Sequence, residues 1–274
     1  MRWRRSVHWI LILGGAYLAI VLLVFLFQER LIFVGSAWPR GPLDAISGVT
    51  IERLTTVDGR AFRIAHAEPD ESPHGVILWF GGNGEDLRSG VYTASRLAGF
   101  GVEAITIEYP GYGESEGRPG IESIYAAARR AAEFARARAM ELGGSWFVGG
   151  NSLGTFCAVF VASEFEVDGV VLNAPPTSMV AAARYQYPWL PVGWLLRHRF
   201  DSLALAPKVA APVWITHGTE DDVVPYSMGR ELAEAFRESG EEVEFHAVDG
   251  DDHTFQLGPQ QPYGQRLRSF LARH

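Results

Sequence analysis

Lysine is nearly missing from these 274 residues: Lys208 is alone among 24 basic side chains, set against 32 acidic ones. A net charge of -8 leaves no basic stripe to neutralise phosphates, so nucleic acid is not an expected partner. Cysteine is just as scarce. A single Cys157 excludes an intramolecular disulfide and any multi-cysteine zinc site. None of the eight histidines stands four residues from another and HExxH does not occur, so neither a metal nor a cofactor is expected. Internal repeats and low-complexity segments are missing too, whereas apolar residues, at 47%, are ample for a large core.

One long hydrophobic run is present. Trp9 to Phe27, WILILGGAYLAIVLLVFLF, carries no charge in 19 residues. At ~1.5 Å per residue it reaches about 28 Å, close to the hydrocarbon thickness of a bilayer. The run exceeds the ~7–15 residues of a signal-peptide core, and the small residues Gly35 and Ala37 lie far beyond it, which favours a retained anchor over a cleaved signal. Arg2, Arg4 and Arg5 precede the run, while Gln28, Glu29 and Arg30 come after it. The positive-inside bias then keeps the N-terminus cytoplasmic and the rest of the chain extracytoplasmic. The expected organisation is a cytoplasmic N-terminus and transmembrane anchor over 1–30, a linker over 31–49 and one domain over 50–274.

Within that domain, β-rich apolar runs alternate with helical patterns. Strands are expected near 50–57, 61–67, 75–80, 102–108, 145–149, 169–173, 213–217 and 243–248. Val57-Asp58-Gly59-Arg60 joins the first two as a hairpin turn. From 121 to 140, Ile121, Ile124, Tyr125, Ala128, Ala132, Ala135 and Ala139 recur at three- and four-residue spacing, the signature of a crossover helix. Further crossovers fit 86–99, 152–164 and 226–239, with a terminal helix over 260–272. The fold class is therefore α/β: a mostly parallel eight-stranded sheet with helices on both faces. An aromatic- and proline-rich insertion, 177–211, interrupts the alternation; it reads either as a cap over a pocket or as an ordinary packed excursion.

VGGNSLGT, at 148–155, fits three glycine patterns unequally. A P-loop needs lysine where Thr155 stands, and a dinucleotide-binding turn needs glycine where Asn151 stands. GxSxG matches at Gly150–Gly154 between an apolar strand and a helix-competent stretch, a setting in which the glycines let strand and helix approach while Ser152 occupies the turn. GxSxG also matches at Gly113–Gly117, but Ser115 is not at a strand–helix junction and has Glu114 and Glu116 beside it. Those charges oppose a developing oxyanion, so Ser152 is the expected nucleophile.

Such a serine needs a base oriented by an acid, in the chain order Ser, Asp or Glu, His. His253 alone among the later histidines lies in a loop after a strand, and THGTEDDVVP offers Glu220, Asp221 and Asp222. An oxyanion hole draws one amide from the residue after the serine, Leu153, and another from the glycine-rich FGGNGED loop, with Asn83 the expected donor.

These blocks, LWFGGNGED, EYPGYGESEGRPG, GGNSLG and THGTEDDVVP with the later GDDHTF, resemble the α/β-hydrolase superfamily, in particular its serine aminopeptidase-like branch of single-span, membrane-anchored serine hydrolases. The resemblance covers most of 50–270 and implies that Asp221, not Asp222, is the acid. Gly81 departs from it, standing where the family carries histidine. The implied function is hydrolysis of an acyl ester, thioester or amide through an acyl-serine, on a small-molecule or lipid-like substrate, with membrane contact through residues 9–27. The competing class is a catalytically silent, membrane-tethered binding or scaffold protein with this fold.

Overall fold

Runs such as GVILWF and GVVLN are apolar at every position, so both faces of the strands they form must be covered. A computed structural model of the chain, describing residues 2–38, 47–253, 257–261 and 263–274, shows how. The strands are β1 (Val49–Thr55), β2 (Ala61–Ala67), β3 (Gly75–Phe80), β4 (Glu103–Ile107), β5 (Ser145–Asn151), β6 (Gly169–Asn173), β7 (Val213–Gly218) and β8 (Val243–Val248). They form one sheet in the order β1-β2-β4-β3-β5-β6-β7-β8. β1 pairs antiparallel with β2, and β2 antiparallel with β4, while every later pairing is parallel.

A long apolar helix, α1 (Arg2–Ile32), precedes the sheet; its His8–Ile32 stretch is long and apolar enough to cross a membrane. The crossovers are α2 (Leu87–Ala98), α3 (Ile121–Leu142) and α4 (Leu153–Glu164). Three short helices, α5 (Met179–Gln186), α6 (Val192–Leu195) and α7 (Ser202–Leu205), occupy the insertion, and α8 (Tyr226–Glu238) and α9 (Gly264–Arg273) complete the fold. α9 starts four residues later than the expected 260, past Pro259.

The period-2 alternation of the strands sorts side chains into two cores. Val76, Leu78, Phe80, Val148, Leu172 and Ile215 face α3, α4 and α8, where the alanine stripe of α3 allows close approach. Ile77, Trp79, Phe147, Val171 and Trp214 face α2 and α9 through Leu97, Leu267 and Phe270. Truncating Trp214, fully buried, should cost about 3–5 kcal/mol. Because the central strands are parallel, the loops after β3, β5 and β7 emerge on one edge of the sheet, where ligands bind in such folds.

Candidate active site

The loop after β5 is the tightest of these. Ser152 has φ 51° and ψ −113°, left-handed backbone that a residue with a Cβ adopts only at a cost. A Cβ on Gly150 would run into the Gly154 carbonyl, and one on Gly154 into the Phe80 carbonyl of β3. The glycines therefore permit the start of α4 to press against two strands, and a Ser152 N–H to Asn173 O bond of 2.9 Å fixes the turn to β6.

Ser152 Oγ lies 2.9 Å from His253 Nε2, and His253 Nδ1 lies 2.7 Å from Asp221 Oδ2. Asp221, ionised, only accepts, so Nδ1 carries the proton and the Nε2 lone pair is left facing the serine hydroxyl. Asp221 is buried and its other oxygen accepts from the Val223 and Val224 amides at 2.9 and 2.7 Å. His217 adds a contact that sequence reading missed: its Nε2 lies 3.3 Å from Asp221 Oδ2 and 2.9 Å from the Val224 carbonyl. Burial opposes charge on Asp221, but the hydrogen bonds from His217 and His253 outweigh it and hold the carboxyl well below the usual range. Asp222 and Glu220 point outward and are exposed.

The loop after β3 is held by a residue that sequence reading also passed over. Glu85 Oε1 accepts from the Gly82 amide and from Asn151 Nδ2, both at 2.8 Å, which ties this loop to the serine turn. Asn151 Oδ1 accepts in turn from Asn173 Nδ2 at 2.9 Å, and Asn173 Oδ1 from Thr216 Oγ1 at 2.8 Å. The chain of side chains crosses the ends of β5, β6 and β7. Neither the Asn83 nor the Leu153 backbone N–H has an acceptor among the described residues. An acidic side chain three residues after Gly82 was the available signal for this clamp.

A cavity of about 1340 Å³ opens over Ser152 and His253, with Trp38, Trp79, Tyr92, Leu97 and Leu257 among its apolar walls. Its far side is α2. No residue of the 177–211 insertion lines this cavity, so of its two readings the cap is not the one realised here; Gln186 bonds the Asp222 and Val223 carbonyls at the cavity's edge. Trp38 belongs instead to the segment just after α1, where the Gly35 amide bonds the Asn83 carbonyl at 3.3 Å. The linker expected over 31–49 thus starts inside α1 and contributes to the cavity wall, while 39–46 lie outside the described residues.

Ser115 occupies a different environment. Its Oγ donates to Glu108 Oε2 at 2.9 Å and accepts from the Arg63 amide at 3.0 Å, at 3% exposure. Cys157 is fully buried, and burial pushes its thiol up to about 12. Among the described residues, His66, Glu68 and Glu103 converge within 4.8 Å. They sit by the start of β4, away from the serine turn, and both Glu103 oxygens are already held by Arg138 at 3.0 Å.

The family described as "Serine aminopeptidase, S33" matches residues 71–206, and "Phospholipase/Carboxylesterase" matches 192–258. The human "Alpha/beta hydrolase domain-containing protein 17C" is 30% identical over 202 residues, which are 72% of this chain and 58% of that one. The chain belongs to the α/β-hydrolase superfamily. Within the superfamily, an uncharacterised Mycobacterium tuberculosis protein is 29% identical over 80% of this chain and 79% of its own length. An esterase of Pyrococcus furiosus shares this α/β-hydrolase fold with a TM-score of 0.70 at 16% identity, covering 86% of this chain and 96% of that one. Both matching families are described as hydrolytic enzymes, which makes the protein a hydrolase.

Proposed function

We propose that the protein is a serine hydrolase that cleaves an acyl ester, thioester or amide, with Ser152, His253 and Asp221 as its triad. The observation that carries this reading is the unbroken 2.9 Å and 2.7 Å chain from Ser152 to Asp221, built on a left-handed serine backbone. Ser152 Oγ attacks the acyl carbonyl as His253 Nε2 takes its proton. The Leu153 and Asn83 amides, without other acceptors, receive the oxyanion. Collapse breaks the bond to the leaving group, which takes the proton back from His253. Water, deprotonated by His253, then releases the acid and regenerates Ser152.

The aromatic and aliphatic cavity wall favours a lipophilic acyl chain, and about 1340 Å³ exceeds the ~300–1,000 Å³ that suits most small ligands. Residues 1–30 act as the anchor, with the N-terminus cytoplasmic and a hydrolase domain over 50–274, including the 177–211 insertion, outside it. That orientation rests on Arg2, Arg4 and Arg5 before the apolar run. Steady-state hydrolysis of acyl esters, thioesters and peptides of graded chain length by the detergent-purified chain tests the reading. Turnover rising with chain length and lost in His253→Ala is expected; a folded chain inert on all three bond types overturns it.

A further inference from the structure

The insertion that leaves the cavity uncovered packs elsewhere. Its α7 end packs on α4 and α8, while the stretch before it meets α1 at points spaced along the helix. The Trp189 carbonyl accepts from Tyr17 Oη at 3.0 Å, and the Leu195 carbonyl from Gln28 Nε2 at 3.1 Å. The Arg197 amide donates to Gln28 Oε1 at 2.8 Å, the Arg197 guanidinium lies 3.6 Å from Glu29, and Phe33 packs edge-on against His198 and Phe200. On α1 the partly covered positions Val21, Val24, Gln28 and Ile32 recur at three- and four-residue spacing, one stripe of the helix. Leu18, Leu22, Leu23, Leu26 and Phe27, on its other faces, stay exposed.

Tyr17 to Gln28 is twelve residues of helix, about 18 Å, more than half of a ~30 Å hydrocarbon layer. If the insertion stayed in water, the apolar helix left free of it, Trp9 to Ala16, would reach only about 12 Å and could not span. A spanning α1 therefore carries the insertion into the membrane with it. The chemistry of the insertion runs along the same gradient. From Tyr185 to Leu196 no residue is charged, and Tyr185, Tyr187, Trp189 and Trp194 point outward, Trp194 at 91% exposure. Arg197 and Arg199 come next, at the Gln28 end, where α1 itself turns polar. Irregular backbone is tolerated at membrane depth only where its polar groups are satisfied within the protein. Here Tyr17 and Gln28 satisfy the Trp189 and Leu195 carbonyls, and Arg199 donates to those of Gly193 and Leu196.

We propose that the 185–199 insertion is a second membrane contact, with Tyr185, Tyr187, Trp189 and Trp194 seated among lipid chains of the outer leaflet beside α1, and Arg197 and Arg199 against lipid phosphates. Tryptophan and tyrosine suit this level because an apolar ring and a polar edge meet the boundary together. The proposal rests on the reading of α1 as a spanning anchor. It gives the insertion a task other than capping, and it sets the cavity wall at Trp38, a few residues beyond α1, close to the membrane surface.

The test uses the full chain in phosphatidylcholine–phosphatidylglycerol vesicles. Trp194→Cys, Leu22→Cys and Met140→Cys are each labelled with an environment-sensitive fluorophore, the buried Cys157 contributing little background, and quenched by lipids carrying a spin label on the acyl chain. Loss of emission at 194 and at 22, with none at the exposed Met140 position on α3, is expected. Quenching at 22 with an unquenched, water-like signal at 194 overturns the insertion contact while the anchor stands. Water-like signals at both positions overturn the anchor reading and the proposal with it.

Discussion

Two pentapeptides in this chain fit GxSxG, and their surroundings separate them completely. Around Ser152 the glycines remove steric barriers to a strand and a helix, the serine backbone is left-handed, and a histidine meets its hydroxyl. Around Ser115 the hydroxyl is one bond in a buried knot. Glu108 Oε2 accepts from the Glu114 amide, the Ser115 amide and the Ser115 hydroxyl, while Arg63 pairs with both Glu108 oxygens at 2.9 and 2.8 Å. One serine is presented to a cavity and the other is used as mortar. The residues C-terminal to each match make the difference: α4 starts at once after Ser152, whereas Arg118-Pro119-Gly120 intervenes between Ser115 and α3.

The contrast breaks most sharply at the proposed nucleophile. Ser152→Ala and His253→Ala should each lower kcat by about 10⁶-fold with unchanged circular dichroism, since the two act as a unit. Asp221→Asn should cost about 10⁴-fold, because it disturbs the tautomer without removing the base; Asp222→Asn, exposed and turned away, should stay near wild type in the same steady-state assay. Glu85→Ala loosens the tie between Gly82 and Asn151 and should lower kcat by up to about 10²-fold, the scale of a 1 Å misplacement, with thermal melting as the folding control. Ser115→Ala is the reciprocal case: kcat/KM retained, and stability to urea reduced by about 1–3 kcal/mol as buried partners lose a bond.

The smallest effect concerns acid. Burial opposes charge on Glu103, but His66 and Arg138 outweigh it and lower its carboxyl from 4.5 to about 2. Stability from this group is then full above about 4.5 and is lost as pH falls towards about 2. Glu103→Gln should flatten that part of a plot of melting temperature against pH.

Periodicity and turn chemistry made most of the elements legible: the eight strands lie within two residues of their expected ends, because each is a short apolar run bounded by turn residues. Strand order was not legible. That β2 pairs with β4 rather than β3 is set by contacts between segments roughly 40 residues apart, which no local pattern encodes. At the site, Ser152 and His253 stand out by residue type and order, whereas Asp221 is separated from Glu220 and Asp222 only by the family resemblance; the fold brings the three together. Glu85 and His217 do not stand out, since one resembles any loop acid and the other any histidine at a strand end. The aromatic insertion stayed undecided for a related reason: its composition announces an amphipathic surface without saying which way it folds, and part of it lies along α1 while none of it lines the cavity.

The central claim is that Ser152, of the two matching serines, is the activated one. Reacting the detergent-purified chain with a fluorophosphonate and mapping the adduct by peptide mass spectrometry tests it most directly. The account predicts one adduct, on the peptide carrying Ser152, abolished in His253→Ala and retained in Ser115→Ala. An adduct on Ser115, or a folded wild-type chain that takes none, would contradict it.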